Sequence, residues 1–575
     1  MATTAVAVEQ IPTQFNRYRG CGTHLNPQNP RTTGTILNLT ATAVRKQKIR
    51  EDDLTEFVLN PQTTPPMHPI KQTARGYIYE QGSTRGVPGV MVSNQRQVVL
   101  TDENGYYELP LEEDCSIFIT KPAAYTFPLN EHQQPQFYYL YRPNGSPEPE
   151  RLSPYPAIES TGEVPNPLNF YLISSEPKVE FTAILMGDIQ PETSKEIDYF
   201  RHLAVPSLQA EQADFMIPLG DLAWDELEVH PDVRTAIGEI GKPWYTVMGN
   251  HDINIRATSN RFARESFQYF FGPTYYSFDY GQVHFVVLDD VDYSGWNMKR
   301  DEQGITEGRL DARQLQWLAS DLALVPKDKL VFLLSHIPIY TKTASHNPYR
   351  NIMNRRDLYA LLKKRPHLFA ASAHTHTIEQ VDLREGGWEQ RNVPFPELIS
   401  GAICGAWWQG PLEEDGLPIR MAMDGAPNGY FVFQFSGTSV RYQFKPLGVP
   451  ENKSRYVLRF PRSTGSSAGE LVVNAFATPP DALIEVSWNG TDFVPLKQFE
   501  GIDAYVDEFL KTHREKYDIW MGAKVNLHLW KGELPKGLGD GKHQLEIRIV
   551  EKNGEQYGGV HFLEVNTLAK AKIKG

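Results

Sequence analysis

The sequence has few cysteines, no long apolar run and no excess of positive charge, and each lack excludes a class of protein. Three cysteines in 575 residues are too few for a disulfide framework, and no CxxC pair is present. No apolar run approaches the length of about 18 residues that a membrane-spanning helix needs. The formal net charge of −13 at pH 7 disfavours general nucleic-acid binding, because proteins of that class are basic.

Sequence signals of two other enzyme classes are also missing. No HExxH motif is present, which disfavours a zinc peptidase, and no GxSxG motif stands between a predicted strand and a predicted helix, which disfavours a serine hydrolase. The N-terminal residues lack the basic start and the apolar core of a signal peptide. We therefore expect a cytoplasmic protein without a membrane span, with export by another route left open.

The length predicts three or four domains, and the composition, 40% hydrophobic and 22% charged, is that of a globular protein. Residues 1–73 are rich in Thr, Gln, Asn and Pro, which predicts an irregular extension with one short helix near 51–58. Residues 74–175 contain short β-rich stretches divided by turn residues, which predicts an N-terminal β-sandwich domain. Residues 450–575 are again β-rich and predict a second β-sandwich. We expect the two β domains to position the protein or to wall its cleft.

The region between them, 176–449, alternates apolar stretches of strand length with amphipathic helical stretches. This pattern predicts an α/β domain, a layered sandwich whose sheet is largely buried. The predicted strands are 181–188, 213–221, 243–252, 283–290, 329–338, 368–376, 396–402, 429–436 and 440–447. The predicted helices are 194–211, 257–271, 311–325 and 354–364.

Polar residues of the kinds that bind metals recur where the predicted central strands end. They are Asp188, Gln190, Asp221, Asn250, His251, Asp252, His336, His374 and His376. Ligands of α/β sheets bind beyond the carboxyl ends of the strands, so these residues can converge although they are far apart in sequence. A glycine precedes Asp188, Asp221 and Asn250, which allows a close approach of the backbone at those points.

Two aspartates, two or three imidazoles and two side-chain amides suit a pair of divalent ions. One carboxylate can bridge both ions, and Asp221 is the candidate. Two dications against two aspartates leave an excess of positive charge, which favours a bridging hydroxide and attracts an anionic phosphate ester. A dinuclear site lowers the pKa of bound water and stabilises both the attacking and the leaving oxygen.

Five short motifs occur in order along the predicted central domain. They are DIQ (188–190), GD (220–221), GNHD (249–252), His336 and AHTH (373–376). Together they resemble the calcineurin-like metallophosphoesterase family, whose pattern is DxH, GD, GNH[DE], H and GHxH. The resemblance covers about 180–445. The β-rich flanks resemble a subgroup in which the catalytic domain lies between two β domains, which extends the resemblance to about 74–566.

The resemblance implies a metal-dependent phosphoric-ester hydrolase with a metal-bridging hydroxide as nucleophile, acting on monoesters or diesters. It implies a first metal held by Asp188, Gln190, Asp221 and His376, and a second held by Asp221, Asn250, His336 and His374. His251 would stabilise developing charge or protonate the leaving oxygen, and Asp252 would orient it. The implied substrate is a phosphorylated small molecule or another phosphoester; the sequence identifies no protein partner.

Two positions depart from the family pattern. Gln190 stands in place of a histidine, and Ala373 stands in place of a glycine. Because an amide oxygen is a harder and weaker ligand than imidazole, Gln190 favours manganese over iron or zinc, with iron, zinc and magnesium left as alternatives. The alternative is a non-catalytic binding or scaffolding protein with a degenerate phosphoesterase site. A metal-dependent peptidase or amidohydrolase is a second alternative, although the GNHD motif has no evident place in that chemistry.

Other conspicuous residues have a structural explanation beside a functional one. His284 fits a packing histidine within a strand, and Cys404 fits a buried, inert thiol. Trp407 and Trp408 could pack or could wall a substrate site. Five further residues could contact substrate or remain solvated charges and loop residues: Arg256, Arg261, Arg264, His346 and Tyr349.

Overall fold

A computed structural model describes residues 72–565, except 113, 152, 450–454, 460–469, 536–537, 539–540 and 553. The predicted helix near 51–58 lies outside the described residues. Of the predicted extension 1–73, only residues 72 and 73 are described. Among the described residues, no helix has the length and apolar character needed to cross a membrane.

The N-terminal region consists of short strands, because Gly, Pro and Asn interrupt its β-rich sequence before any strand can lengthen. The elements are β1 (Thr73–Glu80), β2 (Met91–Ser93), β3 (Val98–Leu100), β4 (Tyr106–Pro110), β5 (Cys115–Thr120), β6 (Tyr125–Thr126), β7 (Tyr138–Tyr141), α1 (Glu148–Arg151) and β8 (Phe170–Ser174). Two four-stranded sheets form, with orders β4–β1–β8–β6 and β3–β2–β5–β7. Residues of both sheets, such as Ile78 and Val92, are buried in one apolar cluster, as predicted for a sandwich.

The central region alternates strands and helices. Its elements are β9 (Glu180–Met186), α2 (Ser194–Leu203), α3 (Val205–Ala210), β10 (Phe215–Pro218), α4 (His230–Gly238), α5 (Asn260–Ala263), α6 (Glu265–Phe271), β11 (Tyr276–Tyr280), β12 (Val283–Val287), β13 (Val291–Tyr293), β14 (Thr306–Gly308), α7 (Ala312–Leu324), β15 (Leu330–Leu334), α8 (Arg355–Leu362), β16 (Leu368–Ser372), β17 (Ile378–Asp382), β18 (Pro396–Ser400), β19 (Gly429–Ser436) and β20 (Ser439–Pro446).

Two sheets of the central region pack through an aromatic core. One has the order β10–β9–β19–β20 and the other β11–β12–β15–β16–β18–β17. Across the interface Phe285 of β12 lies 5.5 Å from Phe435 of β19, and Phe332 of β15 lies 5.6 Å from Phe433 of β19, measured between ring centroids. All four rings are almost fully buried. The predicted layered α/β sandwich is therefore confirmed.

Some predicted elements differ in detail. The segment 243–248 is not a regular strand; it is an extended stretch whose Tyr245 and Val247 amides donate to carbonyls of β10. The single helix predicted at 194–211 is two helices, because Pro206 lies in the first turn of α3 and cannot donate the hydrogen bond that would continue α2. The helix predicted at 257–271 likewise divides into α5 and α6.

The C-terminal region is the second predicted β-sandwich. Its elements are β21 (Val457–Arg459), β22 (Glu470–Asn474), β23 (Leu483–Trp488), β24 (Val494–Pro495), β25 (Lys497–Ile502), α9 (Ala504–Thr512), β26 (Val525–Glu533), β27 (Gly541–Val550) and β28 (Gln556–Val565). Its two sheets have the orders β21–β22–β26–β25 and β24–β23–β27–β28 and enclose a core that includes Val473 and Ile549. The domain limits 74–175, 176–449 and 450–575 stay a prediction.

A buried histidine joins the large central sheet to helix α7. His284 is fully buried, with Nδ1 2.8 Å from Asp279 and Nε2 2.7 Å from Asp321. Burial lowers the pKa of His284, but the two carboxylates outweigh burial and raise it to about 9. Since both ring nitrogens face carboxylate oxygens, the ring is doubly protonated in the folded protein. His284 is thus a packing residue, and its charge is compensated.

We expect this cluster to make stability depend on pH. The folded pKa lies above the ordinary value of 6.5, so the contribution is complete below pH 6.5 and is lost as pH rises through 9. The difference in unfolding free energy between the wild type and His284→Gln should shrink by about 3 kcal/mol over that range. Urea denaturation at pH 6 and pH 10 measures it. A difference that does not vary with pH would contradict the doubly protonated ring.

Candidate metal centre and its surroundings

The predicted site residues converge at one edge of the two central sheets. Asp188 lies just beyond the end of β9, and Asp221 lies just beyond β10. His336 and His374 each stand two residues after the end of β15 and β16. Because β9 and β10 are parallel, as are β15 and β16, the residues that follow these strands emerge together.

The tightest part of the cluster surrounds Asp221. His336 Nε2 lies 3.1 Å from Asp221 Oδ2 and 3.1 Å from Asn250 Oδ1. His374 Nδ1 lies 3.2 Å from His336 Nε2. One ligand atom each from Asp221, His336 and His374 lie within 4.8 Å of one another, and all three side chains are buried. A single divalent ion can therefore contact all three residues.

Backbone carbonyls orient the three imidazoles. Each ring has one nitrogen against a carbonyl oxygen and the other directed into the cluster. The carbonyls are those of Leu219 for His336, Tyr349 for His374 and Gly405 for His376, at 2.8, 2.9 and 3.5 Å. A metal-binding histidine characteristically donates from its second nitrogen in this way, which fixes the tautomer that presents a lone pair to the ion.

The other half of the cluster contains buried oxygens without partners. Among the described side chains, Asp188 Oδ1 and Gln190 Oε1 are buried and accept no hydrogen bond. Asp188 Oδ1 lies 3.4 Å from His376 Nε2, and the Gln190 amide nitrogen donates to Asp221 Oδ2 at 3.2 Å. Leaving such acceptors unpaired is costly, and a cation would satisfy both. The residues present therefore fit a metal centre.

The backbone at the cluster is in an uncommon conformation. Five of the predicted ligands have positive φ angles: Asp188 (42°), Gln190 (46°), Asp221 (50°), His374 (66°) and His376 (54°). Residues with side chains seldom adopt this conformation, and its cost of roughly 1 kcal/mol or more each must be met by the surrounding packing. Strained backbone concentrated at one group of residues is typical of a functional site.

Two glycines allow the ligand loops to touch. A Cβ on Gly220 would lie 2.6 Å from Nδ1 of His336, and a Cβ on Gly249 would lie 2.2 Å from both the backbone nitrogen and Oδ1 of Asp221. Because Gly220 and Gly249 lack a Cβ, the neighbouring loops of the cluster can approach them closely.

Gly249→Ala is therefore expected to displace Asp221 and to reduce the amount of divalent metal that the protein retains. The backbone at Gly249 meets another stretch of backbone, so the clash cannot be relieved by rotating a side chain. Metal analysis after dialysis measures the result. Gly522→Ala is the matched control, because a Cβ there meets nothing within 4 Å. Full occupancy in Gly249→Ala would contradict the assignment of Asp221.

Asp225, and not Asp252, orients His251. The Nδ1 atom of His251 lies 2.8 Å from Asp225 Oδ1, while its backbone amide donates to Asp221 Oδ1 at 2.9 Å. Burial lowers the pKa of His251, but Asp225 and Asp221 outweigh burial and raise it to about 9. The ring therefore carries a proton at neutral pH. The carboxylate beside the His251 ring is therefore that of Asp225 and not, as predicted, that of Asp252.

Asp252 instead fixes the loops. Its buried carboxylate accepts the backbone amides of Leu222, Ala223 and Gly249, and His230 Nε2 lies 3.3 Å from it. With these partners the carboxylate is directed away from His251, although it is the next residue along the chain. Asp252 thus holds together the segments that carry Asp221 and Asn250.

Protons and a metal ion compete for the cluster. Burial lowers the pKa of His336, but Asp221 outweighs burial and raises it to about 10. Burial lowers the pKa of His374 and that of His376. A metal must therefore displace a proton from His336 but not from the other two rings, so metal binding strengthens as pH rises.

The remaining candidates divide between the cluster and the rest of the protein. Tyr349 belongs to the cluster, since its hydroxyl accepts from the Asn250 amide at 2.9 Å, whereas His346 is exposed. Of the three arginines, Arg264 forms a buried ion pair with Asp289 and is neither a phosphate contact nor a solvated charge. Arg261 pairs with Asp114, and Arg256 lies over the Trp296 ring.

Cys404 is buried, as expected, with Sγ 3.9 Å from His376 Nδ1. Trp408 packs, and its indole donates to the Ile189 carbonyl at 2.8 Å. Trp407 stacks on the His376 ring with centroids 3.9 Å apart.

Three residues near the cluster were not predicted from the sequence. Asp225 and Trp224 follow the GD motif within four residues, so proximity to that motif was the available signal. No sequence signal pointed to Lys524, because it lies in the C-terminal region, far from the motifs. Its Nζ donates to the carbonyl of Thr375 at 2.7 Å, and Thr375 lies between the two histidines of the AHTH motif.

Three family models match the chain in order. They are the N-terminal part of calcineurin-like phosphoesterase at 72–150, calcineurin-like phosphoesterase at 181–378, and its C-terminal part at 397–557. No curated protein matches the chain.

Similar solved structures include a purple acid phosphatase from yellow lupin (Lupinus luteus) seeds, at 14% identity and a TM-score of 0.34, covering 62% of this chain and 67% of that one. Another is a metallophosphoesterase from Sphaerobacter thermophilus, at 16% identity and a TM-score of 0.21, covering 46% of this chain and 88% of that one. At these scores neither structure bears on the site.

Proposed function

The chain belongs to the calcineurin-like phosphoesterase family, and we propose from that premise that it hydrolyses phosphoric monoesters or diesters at a pair of manganese ions. The family makes it a metal-dependent phosphoesterase and implies a dinuclear metal centre; the metal and the mechanism are the proposal. The observation that carries it is the convergence of donor atoms from Asp221, His336 and His374 within 4.8 Å.

In this proposal the first ion is held by Asp188, Gln190, Asp221 and His376, and the second by Asp221, Asn250, His336 and His374. The partnerless oxygens of Asp188 and Gln190 support the first set. The close contacts of His336 with Asp221 and Asn250 support the second. The choice of manganese follows from the amide oxygen at Gln190, which favours a hard ion.

When bound, the two ions would supply the hydroxide nucleophile by lowering the pKa of water and would offset the charge of the phosphate. His251 protonates the leaving oxygen from Nε2, because Asp225 occupies Nδ1 and keeps the ring protonated. Tyr349 holds the Asn250 amide, so that the amide oxygen faces His336. A binding or scaffolding protein would not need a protonated, oriented histidine beside this cluster.

The proposal is tested with 4-nitrophenyl phosphate and bis(4-nitrophenyl) phosphate in the presence of manganese. The wild type should hydrolyse at least one of them. Asp221→Ala should lose both turnover and bound metal, whereas His251→Ala should keep its metal and lose roughly 100-fold or more in kcat. The preferred substrate distinguishes a monoesterase from a diesterase. Turnover that survives in Asp221→Ala, or a wild type that binds no metal, would contradict the proposal.

Asp225→Asn tests the orientation of His251. The variant should retain metal and KM, lower kcat by about tenfold, and lose activity at a lower pH than the wild type does. The shift has this sign because Asp225 raises the pKa of His251, and His251 acts in its protonated form. Glu226→Gln, at an exposed neighbouring position, is the control and should leave the profile unchanged. An unaltered pH profile in Asp225→Asn would show that Asp225 does not act through His251.

A further inference from the structure

Three tryptophans form a continuous surface beside the metal cluster, which we name the aromatic wall: Trp224, Trp407 and Trp520. The Trp224 ring lies 5.4 Å from the His251 ring, and Trp407 is stacked on His376 at 3.9 Å. Trp520 contacts both other tryptophans, at 5.5 Å from Trp224 and 4.7 Å from Trp407. The wall therefore runs from the proposed acid, His251, to a proposed metal ligand, His376.

The wall retains free ring surface. Trp407 is 7% exposed because it is enclosed by the other rings and His376, but Trp520 is 37% exposed although it touches two tryptophans. Trp224 is half-buried. A solvent-facing tryptophan next to a polar, charged cluster leaves apolar area in water, which is typical of a binding surface.

The outermost ring comes from the C-terminal region and is held firmly there. Val506 and Leu510 of α9, with Met521, are buried in one apolar cluster together with Trp407 and Met423 of the central region. Two hydrogen bonds between the Gln409 side chain and Asp518 tie the same segments, at 2.9 and 3.0 Å. Trp520 stands between these anchors, so its position is set by packed residues on both sides.

A second contact brings this segment to the ligands themselves. Lys524 donates to the carbonyl of Thr375, which lies between His374 and His376, and its Nζ is 5.1 Å from the Trp407 ring. The segment 517–524 thus touches both the wall and the loop that carries two proposed metal ligands. Removing residues 451–575 would expose an apolar interface, so point variants test this region more cleanly than deletion does.

The position of the aromatic wall places it next to the alcohol that leaves the phosphoester. The proposed function places His251 at the oxygen of the departing alcohol, so the alcohol lies on the side of His251. Trp224 lies beside His251, and Trp520, which contacts Trp224 and is 37% exposed, extends the surface toward solvent. Flat rings gain stacking energy on tryptophan in addition to the burial of apolar area, whereas short alkyl groups cover little of its surface.

We propose that the aromatic wall is the leaving-group subsite and that it selects phosphoesters whose alcohol carries an aromatic ring. This inference rests on the proposed phosphoesterase function. It assigns to the C-terminal region a direct part in specificity, through Trp520.

The test compares phenyl phosphate with ethyl phosphate on the manganese-loaded full-length protein. Trp520→Ala should lower the ratio of their kcat/KM values about tenfold, while Trp520→Phe should keep most of it. Ile519→Ala is the matched control, because Ile519 is 92% exposed and adjacent, and it should leave the ratio unchanged. An unchanged ratio in Trp520→Ala, or an equal loss on both esters, would overturn the inference.

A binding measurement separates this inference from the proposed function. Phenylphosphonate and ethylphosphonate cannot be hydrolysed at the P–C bond, and their dissociation constants are measured by tryptophan fluorescence on the manganese-loaded wild type and Trp520→Ala. The wild type should bind the phenyl compound more tightly, and the variant should lose that preference. Hydrolysis of neither ester, nor of bis(4-nitrophenyl) phosphate, with the binding preference intact would refute the function alone. Equal binding of both compounds by the wild type would refute the subsite.

Discussion

The carboxylate of Asp221 is the group on which the rest of the centre depends. It is buried at the junction of the ligand loops: Oδ1 accepts the His251 amide, and Oδ2 faces both His336 and the Gln190 side chain. A buried carboxylate must be compensated, and here the compensation is a proton on His336 or a metal ion in its place. The close approach at Gly249 and the left-handed backbone at the ligands follow from packing five loops around this one group.

The two β regions are parts of one packed molecule with the central region. The N-terminal sheets share an apolar cluster with the central core, where Phe118 lies 6.0 Å from Trp317. The C-terminal region packs through α9 beside Trp407 and reaches the ligand loop through Lys524. The catalytic chemistry belongs to the central region, while the surface against which an organic group would lie is shared.

The fold and the convergence of the proposed ligands could be predicted from the sequence, because apolar periodicity marks the strands and the proposed ligands stand directly after them. The features that the sequence did not predict depend on contacts between residues remote in sequence or on local hydrogen bonds. Asp252 is adjacent to His251, yet three backbone amides capture its carboxylate, and Asp225 takes the place predicted for it. Segment 243–248 is apolar like a strand but pairs irregularly with β10. Trp520 lies more than a hundred residues from Trp407, and no pattern in either segment indicates that the rings meet.

The most direct test of the central claim is a crystal structure of the manganese-loaded protein, with anomalous differences recorded at the manganese edge. We expect two peaks, one on each side of the Asp221 carboxylate. One should lie against Asp188, Gln190 and His376, and the other against Asn250, His336 and His374. The Gln190 amide should turn its oxygen toward the first ion. A single peak, or peaks away from Asp221, would contradict the dinuclear centre.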